Sequence, residues 1–181
     1  MLISPATTYG RGVNRPEPDP GAAVMTDPSR SDVRPGSEVP PGVEDASRVL
    51  ARIEADEAAA RDARDRYGHE PIAALAVQPH GAHAAALAPD DAVYAVRPDA
   101  VLNAGRHGIP GYGGTLYLTA TRLVLAGQVT MALALADIVE TALSGERLLL
   151  TLRDGEGATL DVRQPRLLRT EIAAVRSLGR S

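Results

Sequence analysis

Apolar and polar residues alternate in short segments through the C-terminal half of the chain, with turn residues between the segments. Alternation with a period of two is typical of strands that bury one face. The pattern predicts seven strands, at 92–102 with a bend at Pro98, 115–119, 123–126, 129–135, 138–143, 148–152 and 159–163. Glycine-containing stretches such as 144–146 and 154–157 predict tight turns between them. Leu123 and Leu150 are expected to face the interior.

Two further segments show helical periodicity. The first, 45–67, is rich in strong helix formers, offers Asp45 or Ser47 as N-cap and is followed by Gly68. Its apolar stripe is thin and consists of Leu50, Ile53, Ala60, Ala63 and Tyr67. Such a helix docks weakly on the rest of the chain, pairs with a second copy or frays. Because the stripe is too small for a strong coiled coil, we expect a monomer. If the stripe is used, we expect the helix to lie across the outer face of the barrel.

The second helix begins at Pro165 and ends before Gly179. Its apolar positions share one face and are Leu167, Leu168, Ile172, Val175 and Leu178. Its arginines Arg166, Arg169, Arg176 and Arg180 are interpreted as a solvated basic side of the helix. The chain is therefore expected to be mainly β, with its last helix packed on the strands.

The hairpin between Gly114 and Leu125 carries the most specific motif. The motif consists of a glycine, an apolar position, the run Tyr117-Leu118-Thr119, two variable residues and the pair Arg122-Leu123, in that order. This order resembles the early hairpin of the GRAM branch of the pleckstrin-homology-like (PH-like) superfamily, over about residues 90–178. The resemblance implies a partly open barrel of about seven antiparallel strands, capped by a C-terminal α-helix. PH-like domains often carry a Trp in that helix, which this chain lacks, and GRAM-type and bacterial members are less strict.

The N-terminal part of the chain has a different character. Residues 1–43 are dominated by Pro, Gly, Ser, Asp and Arg without periodicity, which predicts a disordered tail. Met25 lies inside this tail and is an alternative translation start to Met1. We therefore divide the chain into the tail, a charged helix at 44–68, an Ala/Pro linker at 69–88 and a PH-like domain at 89–181.

Composition removes several classes of chemistry. All 19 basic residues are Arg, and the chain has no Lys, Cys, Trp or Phe. Without Lys and Cys there is no P-loop lysine, Schiff base, thiolate nucleophile or cysteine zinc site. The net charge of −4 argues against nucleic-acid binding. No run of apolar residues is long enough to span a membrane and no signal peptide is recognisable, so we expect a cytoplasmic protein without a transmembrane segment.

Candidate site residues are few. His80 and His83 are flanked by helix-breaking residues and are interpreted as solvated linker histidines rather than metal ligands. The resemblance implies that the loop after the first strand collects basic residues in lipid-binding members. Here Arg97, Arg106 and His107 are the candidates for contact with a lipid or partner. From Asp90 onward, however, ten acidic residues balance ten arginines, which disfavours a specific lipid-headgroup site.

The pattern as a whole indicates a binding function rather than a reaction. We predict no catalytic residue, no cofactor and no metal site, and expect a non-enzymatic binding or adaptor module for another protein. The alternatives are peripheral membrane targeting through weak binding of anionic lipid, and an enzyme with an unrecognised pocket. The identity of the partner cannot be derived from the sequence.

Overall fold

Seven antiparallel strands and two helices make up the computed structural model, which describes residues 41–77, 85–104 and 111–179. The elements are α1 (Pro41–Tyr67), β1 (Val93–Ala104), β2 (Tyr112–Thr119), β3 (Arg122–Gly127), β4 (Met131–Ala134), β5 (Ile138–Ser144), β6 (Arg147–Leu152), β7 (Gly157–Asp161) and α2 (Pro165–Leu178). Residues 1–40 of the predicted disordered tail lie outside the described residues. No helix in the described part of the chain is long and apolar enough to cross a membrane.

The strands form one sheet with the order β4-β3-β2-β1-β7-β6-β5. β1 pairs with β2 along its length, and its last four residues, Val101–Ala104, also pair with β7. The register between β1 and β2 shifts between Arg97 and Ala100, so the strand is irregular around Pro98, where the sequence predicted an interruption or a bend. Within the described residues β4 and β5 each pair on one side only. The sheet is therefore a partly open barrel, and the predicted fold class is confirmed.

The interior of the barrel is built from aliphatic side chains that alternate along the strands. Leu123 and Leu150 are each 2% exposed, as the alternation predicted. On β6 and β7, Leu148 and Leu160 are fully buried and lie opposite each other in the strand register. Burial of aliphatic side chains on one face of each strand is the main apolar contribution to the stability of this sheet.

The C-terminal helix α2 contacts β1, β5 and β6. Leu168, Ile172 and Val175 of its predicted apolar face are buried in the core. Leu178, in the last turn, is instead 36% exposed. The prediction that this helix packs on the barrel is confirmed.

The N-terminal helix α1 differs from the prediction in three respects. It begins at Pro41, so Asp45 and Ser47 lie inside the helix and neither is its N-cap. Leu50 is 59% exposed and does not belong to the contact face. The helix packs against α2 rather than across the outer face of the sheet. Its buried small residues, Ala60 and Ala63, allow the two helices to approach closely.

The segment between α1 and β1 also contributes to the core. Ile72 is buried among the core residues, and the backbone N–H of Leu75 donates to the carbonyl of Val93 at 2.7 Å. This segment falls within the predicted linker. Val39–Ser181 forms one compact unit that includes α1, this segment and the barrel.

Candidate functional site

A groove of about 620 Å³ lies between β5, α1 and α2. α1 and the residue after it, β5 and α2 all contribute to its walls. The lining residues are Glu57, Arg64, Tyr67, Gly68, Thr141, Leu143, Arg166, Arg169, Thr170, Ala173 and Ala174. Leu143 and Ala174 also pack on the core, so the floor of the groove is continuous with the interior of the domain.

The strand that borders this groove is an edge of the sheet. β5 pairs with β6 on one side, and no other strand of the described residues pairs with its second side. An edge strand presents backbone N–H and C=O groups that an extended chain can pair with. The groove therefore combines a free sheet edge with a helix surface opposite it.

Three arginines give the groove a positive character. Arg169 is exposed, and none of the described carboxylates pairs with it. Arg166 Nε lies 3.0 Å from Glu57 Oε2 and its NH1 lies 3.7 Å from Asp56 Oδ2, while Arg64 lies 3.6 Å from Glu57 Oε1. Glu57 is the one acidic side chain among the described residues that line the groove. The local balance of charge therefore favours an anionic group.

The N-terminus of α2 is fixed by a side chain from α1. Gln164, at the N-cap position, has a φ of 57° and makes no side-chain cap. Asp56 takes that role, because its two carboxylate oxygens accept hydrogen bonds from the backbone N–H groups of Arg166 (2.9 Å) and Leu167 (3.0 Å). Asp56 is 3% exposed. A carboxylate at this position satisfies free N–H groups and opposes the positive end of the helix dipole.

A second cavity, of about 830 Å³, lies between the N-terminal half of α1 and the β5–β6 turn. Its charged side chains pair with one another. The pairs are Arg52–Glu146 (two contacts at 3.0 Å), Arg147–Asp161 (2.6 Å), Arg163–Asp99 (3.4 Å) and Arg166–Asp56 (3.7 Å). The charges around this cavity are thus balanced within the fold, whereas Arg169 in the groove has no carboxylate partner among the described residues.

The residues predicted to contact a lipid or partner are not brought together in the described part of the chain. Arg97 lies in β1 with its side chain 12% exposed, and its NH2 donates to Glu171 Oε2 at 2.6 Å. Burial raises the pKa of Glu171, and the neighbouring Arg97 only partly offsets this effect. Arg106 and His107 lie outside the described residues. Their role in binding stays a prediction.

The histidines were the other candidates for site chemistry. His80 and His83 lie outside the described residues. His69 Nδ1 lies 2.8 Å from the backbone oxygen of Asp65. The described residues contain no group of three or more side chains that could together hold a metal ion.

Sequence analysis missed the groove. Arg166 was expected to be solvated, but its side chain is 17% exposed and pairs with Glu57. Asp56 is the signal that could have been used, because it lies between Ile53 and Ala60 in an otherwise apolar stripe. A carboxylate at such a position predicts a buried polar partner.

No protein-family model matches the chain, and a search of curated proteins finds no similar sequence.

Proposed function

We propose that this chain is a non-enzymatic binding module of the PH-like, GRAM-type superfamily, and that its partner is another protein. Support for the family comes from the element order, in which seven antiparallel strands precede one packed helix. Further support comes from the irregular first strand, which pairs with both β2 and β7. The motif at 114–123 in the β2–β3 hairpin agrees with both observations.

The partner contributes an extended segment that pairs with β5 and lies in the groove. The observation that carries this proposal is that an edge strand borders an arginine-lined groove. Backbone hydrogen bonds to a sheet edge provide affinity for any extended chain, and pockets beside the edge select its side chains. α2 provides the opposite wall of the groove, where Ala173 leaves room for a partner side chain.

The partner segment carries both acidic and apolar side chains. The three arginines of the groove outnumber Glu57 and the adjacent Asp56, so they attract a further carboxylate. Leu143 and Ala174 offer apolar contact at the floor. In an extended segment successive side chains point to opposite sides, so every second residue of the segment faces this floor.

Peptide selection on the full-length chain tests this function. A phage library of random peptides of about twelve residues, a length that exceeds the seven residues of β5, is selected for binding. We expect the selected peptides to be enriched in Asp and Glu. Ala173→Gln, which narrows the groove from an exposed helix position without changing its charge, is expected to weaken binding by about tenfold.

Arg169→Glu removes one attraction and adds a repulsion, and is expected to weaken binding by about tenfold. Arg163→Glu is the matched control, because its side chain is 76% exposed and lies outside the groove. The proposal is wrong if no peptide is selected, or if the variants at Ala173 and Arg169 bind the selected peptides as tightly as the control and the wild type.

Membrane targeting is the alternative function, and vesicle flotation with the same chain tests it. Vesicles of phosphatidylcholine with phosphatidylserine are mixed with the chain at low and high salt. Salt-sensitive binding that is lost in Arg106→Glu would support lipid as the ligand and contradict a protein partner. Arg97 is unsuitable for this test, since its reversal would place a second carboxylate beside the buried Glu171.

A further inference from the structure

The groove already contains a carboxylate of its own chain. Glu57, on α1, reaches Arg166 at 3.0 Å and Arg64 at 3.6 Å. These are two of the three arginines that face the groove, while Arg169 has no carboxylate partner among the described residues. An acidic segment that enters the groove thus meets Arg169, which is available, and two arginines that already pair with Glu57. Arg166 also lies 3.7 Å from Asp56, a contact that the segment does not need to displace.

We propose that Glu57 is a built-in competitor for the acidic side chain of the partner, so that α1 regulates the groove. This inference rests on the proposed binding of an acidic segment to the groove. When the partner binds, its carboxylate takes the place of Glu57 on Arg166 and Arg64, and Glu57 turns towards solvent. The affinity of the groove is therefore lower than its arginines alone would give.

Two neighbouring acids of α1 have different roles in this arrangement. Asp56 is 3% exposed and bonded to two backbone N–H groups of α2, so it holds α1 in place. The Glu57 side chain is 46% exposed, and its contacts are to side chains only. Ion pairs with this exposure contribute little stability, so Glu57 can be displaced while Asp56 keeps the helix docked.

Substitution of Glu57 tests the competition. Glu57→Gln removes the charge, and we expect an acidic peptide selected on the wild type to bind this variant about fivefold more tightly. A version of that peptide with Gln in place of its acidic residues is expected to bind wild type and variant equally. The gain for the acidic peptide is expected to shrink when the salt concentration rises from about 0.05 M to about 0.5 M.

Glu54→Gln is the matched control, because it removes the same charge from an exposed position of α1 outside the groove. It should leave the affinity unchanged. The inference is contradicted if Glu57→Gln leaves the affinity for the acidic peptide unchanged or lowers it. An equal gain for the acidic and neutral peptides also contradicts it, since α1 would then act by covering the groove.

A second experiment distinguishes failure of this inference from failure of the proposed function. Inorganic phosphate is titrated into the wild type and Glu57→Gln, and the side-chain Nε–H resonance of Arg166 is followed by NMR. We expect the phosphate concentration at the midpoint of the chemical-shift change to be about fivefold lower in the variant than in the wild type. Equal midpoints in the wild type and the variant contradict competition by Glu57, even if peptides bind. A lowered midpoint supports it even if no peptide is selected, in which case only the proposed partner is wrong.

Discussion

Asp56 is the residue on which the contact between the two helices depends. It is buried, and its carboxylate replaces the N-cap that Gln164 does not provide. Asp56→Ala leaves the N–H groups of Arg166 and Leu167 without this acceptor. We expect the free energy of unfolding, measured by urea denaturation, to fall by about 1–3 kcal/mol.

Asp62→Ala is the control for this prediction, because Asp62 is exposed on the same helix. Its effect should stay within about 0.5 kcal/mol. Equal effects of the two substitutions would show that Asp56 does not cap α2.

Glu171 makes stability depend on pH. Burial raises the pKa of its carboxyl in the folded chain above the ordinary value of 4.5, despite the neighbouring Arg97. The folded state therefore binds the proton more tightly than the unfolded state, and the contribution of Glu171 to stability falls as pH rises from the ordinary pKa through the raised one. The difference in unfolding free energy between wild type and Glu171→Gln isolates this effect.

We expect the wild type to lose stability relative to Glu171→Gln as pH rises from the ordinary pKa of 4.5 through the raised pKa of the folded chain. Denaturation curves of both chains at each pH measure the difference. A difference that stays constant, or that changes in favour of the wild type at high pH, would contradict a raised pKa.

At the scale of elements, the barrel depends on aliphatic side chains at alternate strand positions. Leu123→Ala and Leu150→Ala are each expected to lower the free energy of unfolding by about 2–5 kcal/mol, since both side chains are buried. Val139→Ala, at a position that is 55% exposed on β5, serves as the control and should cost less than about 0.5 kcal/mol. Small effects at both leucines would mean that the strand register is wrong.

The elements themselves could be predicted because their signals are local. Alternation of leucines defines β6, and an apolar face with Pro165 at its start defines α2. The packing of α1 could not be predicted in this way. Its stripe was assigned from apolar residues and so included the exposed Leu50, whereas Asp56 is held by backbone groups 110 residues further along the chain.

The candidate site, like the packing of α1, depends on residues that are distant in sequence and could not be predicted from local signals. Arg97 was selected because it lies near a loop in sequence, but its partner Glu171 lies 74 residues away, and nothing local signals that pairing. The groove joins α1, β5 and α2, three elements that are distant in sequence. Only the three-dimensional arrangement brings Arg64 and Arg169 to one surface.

At the scale of the whole molecule, the two edges of the sheet differ in what surrounds them. β4 is four residues long and apolar, and short edge strands resist pairing with other chains. β5 is longer and borders the groove with its arginines. The apolar stripe of α1 is used against α2, which agrees with the expected monomer and leaves β5 as the edge for a partner. The expected monomer stays a prediction.

The most direct measurement is amide hydrogen exchange of the full-length chain with and without a selected acidic peptide. Pairing of the peptide with β5 is expected to slow exchange in 138–144 and to leave the other edge strand, β4, unchanged. Slower exchange at β4, or binding without any protection at β5, would contradict the account that this protein recognises its partner through the groove beside β5.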